Sequence, residues 1–418
     1  MLDMKQVVVS LLAVILILGC DTISSASKPN IKQRNISALQ CIKALQAGNM
    51  DEAERLSATV LSEDDENPYA LLVKAIARYT MVALKVSWFV RTQLLEARSE
   101  ESLRYLKDEL EDAEKELVSI ESDLDKINSL DQVNQISLNL CPACWKIDWN
   151  RDGEFDERDE RLLSVDTDVD GKEISHDDPR RKPIIRFDRG DILWAQAYIN
   201  NQLATLNIIL AFHWGDILSI AENREQKQII RIRLSESYRI KESRDYFLKG
   251  IALADKARQA YLAEKDDDCE WIPNPKQKNH SLPLPVTEDL YKTWANILDD
   301  LNSLFRGKEG ISADEVFTFI SQATRTQGSQ PDKRPKGYLN IKKMFSNPGD
   351  EIVIDVNELS GAIKSEDVDG ILKIVFGDFY MNNMKASPIV GRLSKRYDEI
   401  KKGLDTFGNK LRYFLWLN

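Results

Sequence analysis

The sequence predicts an all-α protein of long antiparallel helix hairpins, with one inserted acidic segment and little or no sheet. Three stretches predict it. Residues 100–128 place Leu103, Leu106, Leu110, Ala113, Leu117, Ile120, Leu124 and Ile127 at alternating three- and four-residue steps, the a/d spacing of packed helices. Residues 188–215 form a long apolar stretch with no Asp, Glu, Lys or Arg from Ile192 to Gly215. Strand-like character is convincing only at Ile352-Val353-Ile354.

Composition bounds the function. The chain has 418 residues, 43% hydrophobic and 30% charged, which is globular rather than disordered. A formal net charge of −11 argues against nucleic-acid binding, which needs a basic face. It argues equally against direct adhesion to anionic lipid. His176, His213 and His280 are widely spaced and no H-E-x-x-H motif occurs, so a zinc enzyme is not predicted. No nucleophile motif appears either, and the expectation is a protein that is not an enzyme.

The N-terminus sets the compartment. Val7 to Leu18 is apolar but too short to span a bilayer comfortably. It ends in Ile17-Leu18-Gly19-Cys20-Asp21, which resembles the lipobox of bacterial lipoproteins. The resemblance implies a signal peptide over 1–19, cleavage before Cys20 and lipid attachment to Cys20. The protein would then be membrane-anchored in the cell envelope and face the periplasm, with inner or outer membrane left open. Residues 20–35, small and polar with one proline, read as a flexible tether.

Export makes disulfides permissible for Cys41, Cys141, Cys144 and Cys269, with three full pairings open. Cys141-Pro142-Ala143-Cys144 reads as a structural clip rather than a redox motif, because no strand-to-helix turn surrounds it.

Residues 36–130 read as a helical region. Gly48 is followed by Asn49-Met50-Asp51-Glu52-Ala53, with Leu56, Val60 and Leu61 continuing an apolar face and Pro68 closing the unit. This resembles the second helix of a tetratricopeptide repeat, where a glycine opens the turn and a small residue lets helices approach. Tyr69 to Val90 follows with Ala70, Ala75 and Ala77 at packing positions. The same residues read equally as an antiparallel helix hairpin. The seam of 100–128 is predicted to pair with the preceding helix, self-association being the other way to cover it.

Residues 188–310 read as a central helical core with a Pro-rich connection. Asp188 or Asp191 caps the apolar helix. Gln196, Asn200, Asn201, Gln202, Thr205 and Asn207 would be costly in lipid, so the helix is predicted to be wrapped by others, its amides bonded to neighbours or lining a cavity. An amphipathic helix is predicted over Ala221–Lys265. Trp271 to Pro285 cannot be helical and is predicted to pack along a groove. Thr287 to Phe305 resumes as a helix, with Leu290, Trp294, Ile297, Leu298, Leu301 and Leu304 on one stripe. Residues 311–418 read as a region of shorter helices, ending in an apolar Tyr413–Leu417 that is predicted to dock.

Residues 131–187 form the acidic insertion and carry the most specific chemistry. Asp148, Asn150 and Asp152 alternate, then come Gly153, Glu154, Asp156 and Asp159. Asp166, Asp168 and Asp170 repeat the alternation, with Gly171, Lys172 and a closing Asp177 or Asp178. Hard oxygen donors at every second residue, a glycine at the sixth position and a carbonyl at the seventh wrap one turn of chain around a cation. Both loops resemble EF-hand calcium loops, and the resemblance implies Ca²⁺ as the ligand. Asp159 stands where that family has a bidentate Glu, which weakens binding. Glu157 to Leu163 is predicted as the exit helix of the first loop. The two loops begin too close together to form paired helix–loop–helix units, so the calcium is predicted to brace rather than switch.

The functional expectation is a lipid-anchored envelope scaffold or protein-binding module, with a protein or peptide partner. The alternative is a solute-binding accessory lipoprotein of a transporter, its pocket lined by Trp194, Gln196, Asn200 and Asn207.

Overall fold

Residues 29–35, inside the segment read as a tether, belong to a helix that runs over Pro29–Gln46. The computed structural model describes residues 29–89, 100–131, 133–149, 151–166, 168, 172–216, 228–267, 269–278, 286–315, 337–365, 367–381, 386–387, 391–392 and 395. The segment 1–19 read as a signal peptide, Cys20, Asn150, Asp170, Gly171 and Tyr413–Leu417 lie outside them.

Among the described residues three helices come first: α1 (Pro29–Gln46), α2 (Met50–Glu63) and α3 (Pro68–Phe89). The α1–α2 turn depends on Gly48, which sits at φ +75°. An added Cβ there would lie 3.1 Å from Trp145 Cβ. Asn49 then caps α2 by accepting from Glu52 N. Between α2 and α3 the buried Asn67 accepts from Ala70 N and donates to Arg34 O, tying the second turn back to α1. Ala53, wholly buried, lets the helices come together.

Helix α4 (Glu100–Asn128) lays its predicted seam against its own chain. Leu106, Leu110, Ala113, Leu117, Ile120, Leu124 and Ile127 are buried. The partners are α3 on one side and α6 (Arg189–Ala211) on the other. Arg78 of α3 pins the first interface, reaching Glu54 on α2 and Glu116 and Ser119 on α4.

Helix α6 is the central helix. Asp188 and Asp191 form a reciprocal capping box at its start. Its amides are spent on neighbouring helices. Gln196 Nε2 donates to Glu121 and Asp125 of α4, and Gln196 Oε1 accepts from Asn128. Asn207 Nδ2 donates to Glu114, and Gln202 Nε2 to the Tyr79 hydroxyl. Trp194 packs edge-on against Trp294. Among the described residues no helix is long and apolar enough to cross a membrane.

Helix α7 (Tyr238–Ala263) packs most extensively on α6. Gly250 permits the approach: a Cβ there would meet Asn201 Oδ1 at 2.5 Å and the Ala197 carbonyl at 3.1 Å. Ser243 Oγ donates across to Ala204 O. The Pro-rich connection then packs back on the core, with Trp271 stacked on Phe187 and the Tyr291 hydroxyl donating to Pro273 O. Helix α8 (Glu288–Phe305) follows, capped by Thr287.

The continuous helix predicted from Ala221 is corrected. Residues 217–227 lie outside the described residues, and Ile229–Arg233 is a strand, β3. It pairs antiparallel with β6 (Glu351–Asp355), the strand predicted around Ile352–Ile354, with Arg231 opposite Val353. The reason is visible in Ile229-Ile230-Arg231-Ile232-Arg233, a β-branched stretch whose Ile and Arg alternate at period two. The C-terminal region is also less uniformly helical than predicted. Short strands Gly310–Ser312 (β4), Tyr338–Leu339 (β5), Tyr380–Met381 (β7) and Ala386–Ser387 (β8) form one sheet in the order β7-β5-β4-β8. Ala313, Leu339, Leu372 and Tyr380 make a separate small core there. Helices Ile341–Ser346 (α9), Val356–Lys364 (α10) and Val368–Phe376 (α11) complete the region. The fold remains mainly α-helical, with only small sheets.

Candidate functional site

The acidic insertion leaves the helical body through two paired strands. Leu138–Leu140 (β1) and Ile185–Phe187 (β2) are antiparallel, with Asn139 opposite Arg186. Past β1, Cys141 and Cys144 are joined by a disulfide across a short 3₁₀ turn. Cys41 is buried outside any disulfide, and Cys269 is exposed. Trp145, Ile147 and Trp149 are buried at alternate positions while Lys146 is exposed and Asp148 half-buried. This alternation sinks the apolar side chains into the core and turns Asp148 outward, where loop one begins.

Loop one has the backbone its sequence requires. Gly153 sits at φ +95° and Arg151 at φ +55°. Asp148 Oδ2 accepts from Gly153 N at 2.8 Å and Oδ1 from Asp152 N at 3.3 Å. Asp152 Oδ1 accepts from Glu154 N. Asp156 caps helix α5 (Glu157–Leu163), which coincides with the predicted exit helix. Asp159 is the buried member, 3% exposed. Its Oδ1 accepts from Trp149 N at 2.9 Å and its Oδ2 from Asp156 N at 3.0 Å, so it locks the loop's end to its beginning. Arg158 bridges Asp152 and Asp156 and holds the Asp156 carboxyl below its usual range. Glu154 is exposed. The donor set is hard oxygen throughout, which fits Ca²⁺ and not a soft metal.

Loop two is tied differently. Asp166 O accepts from Ile174 N, and Ile174 is buried. Asp168 Oδ1 accepts from Lys172 N, and the Lys172 carbonyl, read as a ligand, accepts from Asp168 N. Of the two closing acids, Asp177 is exposed. Asp178 instead caps the 3₁₀ turn Pro179–Arg181, and the Arg180 guanidinium on it lowers its carboxyl to about 2.

A second acidic centre escapes the sequence altogether. Asp188 at the start of α6, Glu264 at the end of α7 and Glu270 beyond it each direct a carboxylate oxygen to within 4.8 Å of the others. Asp191 and Asp266 adjoin them, and Arg186 of β2 reaches in from the side. Amides of the α6 N-terminus hold the two aspartates: Asp188 Oδ1 accepts from Gly190 N and Asp191 Oδ2 from Asp188 N. The Gln277 side chain supports Glu264, and Glu270 shares a hydrogen bond with Asp266 that disfavours its charge. Burial, with the Asp188 charge beside them, pushes Glu264 and Glu270 each up to about 9. Burial raises Asp188 as well, and Asp191 further. The sequence signal for this centre was limited to Asp188 and Asp191 as caps.

The fold and these centres define a mainly α-helical protein bearing one surface acidic loop pair and one buried carboxylate cluster. No protein-family model matches the chain, and neither curated proteins nor solved structures give a match.

Proposed function

We propose that this chain is a lipid-anchored helical scaffold of the cell envelope that binds Ca²⁺ structurally through loop one. Cys20 carries the anchor, and the helical body is offered to a protein or peptide partner on the periplasmic side. The body catalyses no reaction.

The observation that carries the calcium reading is the shape of loop one. The chain already curls so that Asp148 gathers the amides of Asp152 and Gly153 while Asp159 closes the ring onto Trp149. An ion there would join Asp148, Asp152 and the acids of the exit helix, replacing the Arg158 bridge as their counter-charge. Affinity on the order of 10⁻⁴ to 10⁻³ M suits extracellular calcium. Loop two contributes less to this reading, because Asp178 is taken up by Arg180.

The scaffold reading gains support from α6. Gln196, Gln202 and Asn207 bond to α3 and α4, and Trp194 packs on Trp294, so these side chains join helices together. That use favours a scaffold over a solute pocket built from the same residues.

Thermal melting of the full chain in Ca²⁺ and in EGTA tests the calcium role. Wild type should melt higher in Ca²⁺, and Asp148→Ala should lose most of that gain. Melting that ignores EGTA in both proteins would sink the reading. Incorporation of labelled fatty acid into wild type but not Cys20→Ala tests the anchor.

A further inference from the structure

We infer that Asp188, Glu264 and Glu270 form a second, largely buried site for a hard divalent cation. This site is separate from loop one and does not rest on the reading of that loop.

The first observation is geometric. One oxygen from each of the three carboxylates lies within 4.8 Å of the other two. Two oxygens bound to one Ca²⁺ at about 2.4 Å can be no more than about 4.8 Å apart. The shorter bonds of Mg²⁺, about 2.1 Å, set a tighter limit of about 4.2 Å.

The second observation is an orphaned buried atom. Glu270 is 1% exposed, and its Oε1 is sealed from solvent with no hydrogen-bond donor. Glu264 Oε2 is in the same condition. A buried carboxylate oxygen without a partner is costly, and the cost grows when carboxylates crowd together. Arg186 relieves it only in part. Its Nη1 bonds Asp266 and remains 3.7 Å from Glu270 Oε1, while its Nη2 is 3.9 Å from Asp188 Oδ2. Both separations exceed a hydrogen bond. A cation among the three oxygens would satisfy Glu270 and Glu264 together and balance charge that one guanidinium does not.

The donors fit such an ion. All are carboxylate oxygens, with no thiolate or imidazole among them, which selects hard cations. The surrounding frame is rigid: Tyr261 and Asn274 fix the end of α7, Asn274 Nδ2 donating to Tyr261 O, and β2 is bridged to Glu270 through Arg186 N and Cys269 O. An ion here would clamp the start of α6, the end of α7 and the Pro-rich connection to one another.

Equilibrium dialysis with radioactive Ca²⁺ on full-length wild type, D148A, E270Q and D148A/E270Q tests the site. The step from wild type to D148A reports loop one, and the step from D148A to D148A/E270Q reports the buried cluster. D148A should still bind Ca²⁺, and adding E270Q should weaken that binding more than about tenfold. Melting is the second readout. Ca²⁺ should raise the Tm of D148A and leave D148A/E270Q unmoved, while in EGTA E270Q should melt no lower than wild type because the amide fills the same buried space without a charge. Equal Ca²⁺ binding by D148A and D148A/E270Q overturns the site, as does a D148A protein that binds none. Should E270Q lose its fold in EGTA, the same comparison with E264Q decides the matter.

Discussion

The Tyr261 hydroxyl donates to Asp191 Oδ1 at 2.9 Å, and each residue is only 1% exposed. The bond joins the last turn of α7 to the first turn of α6, beside the buried carboxylates. Burial pushes both groups well above their ordinary titration ranges. Tyr261→Phe removes one oxygen and leaves Asp191 short of a donor. The expected loss is about 1–3 kcal/mol. Urea unfolding should show a lower midpoint at unchanged m-value, and an unchanged midpoint would contradict the role given to this bond.

Loop one contains a structural acid and a surface acid, and they should behave differently without metal. Asp159 is buried on two backbone amides, whereas Asp148 serves amides of exposed residues. In EGTA, Asp159→Ala should cost about 1–3 kcal/mol and Asp148→Ala distinctly less. In Ca²⁺ both should lose the share of the metal-dependent gain that loop one supplies. Chemical denaturation with and without EGTA checks the order, and equal losses in EGTA would count against it.

Two glycines predict opposite signs. Gly48 has φ +75° and Trp145 against it, so Gly48→Ala should destabilise by about 1–3 kcal/mol. Gly361 lies within α10 with nothing within 4 Å of an added Cβ. Gly361→Ala should therefore stabilise by about 0.4–1 kcal/mol. Paired melts of the two variants against wild type test this contrast.

Glu236 links stability to acid pH. Burial opposes its charge, but hydrogen bonds from Arg239, Lys107 and Tyr238 outweigh that and hold it down to about 2, against an ordinary 4.5. Its folded value lies below its unfolded value, so its contribution is fully present above pH 4.5 and is lost as pH falls through about 2. At most it amounts to about 3 kcal/mol, since one pH unit corresponds to about 1.4 kcal/mol. Glu236→Gln should lower stability at neutral pH and flatten its dependence between those values. A variant as acid-sensitive as wild type in that window would refute the assignment.

Patterns written in adjacent residues were readable before any fold was known. The α4 seam follows from the 3.6-residue turn, so its spacing alone marked Leu106 to Ile127 as one face. Loop one concentrates its acids in twelve positions and marks its bend with Gly153, so the bend and the exit helix were foreseeable, though the positive φ of Arg151 was not. The Ile/Arg alternation of β3 was also present but was absorbed into a longer helical reading. Its pairing with β6 depends on a partner far along the chain.

By itself, the sequence determined the helical class, a cap at Asp188 or Asp191, and the acidic loop with its exit helix, because each depends on contacts between near neighbours. Tertiary structure alone decided what covers the α4 seam, where the amides of α6 go, and that Asp188 meets Glu264 and Glu270. No spacing encodes that meeting. It arises because α6 and α7 pack closely at Gly250, bringing the start of one helix beside the end of the other, and because Cys269 and Asn274 beyond α7 bond back to Arg186 and Tyr261.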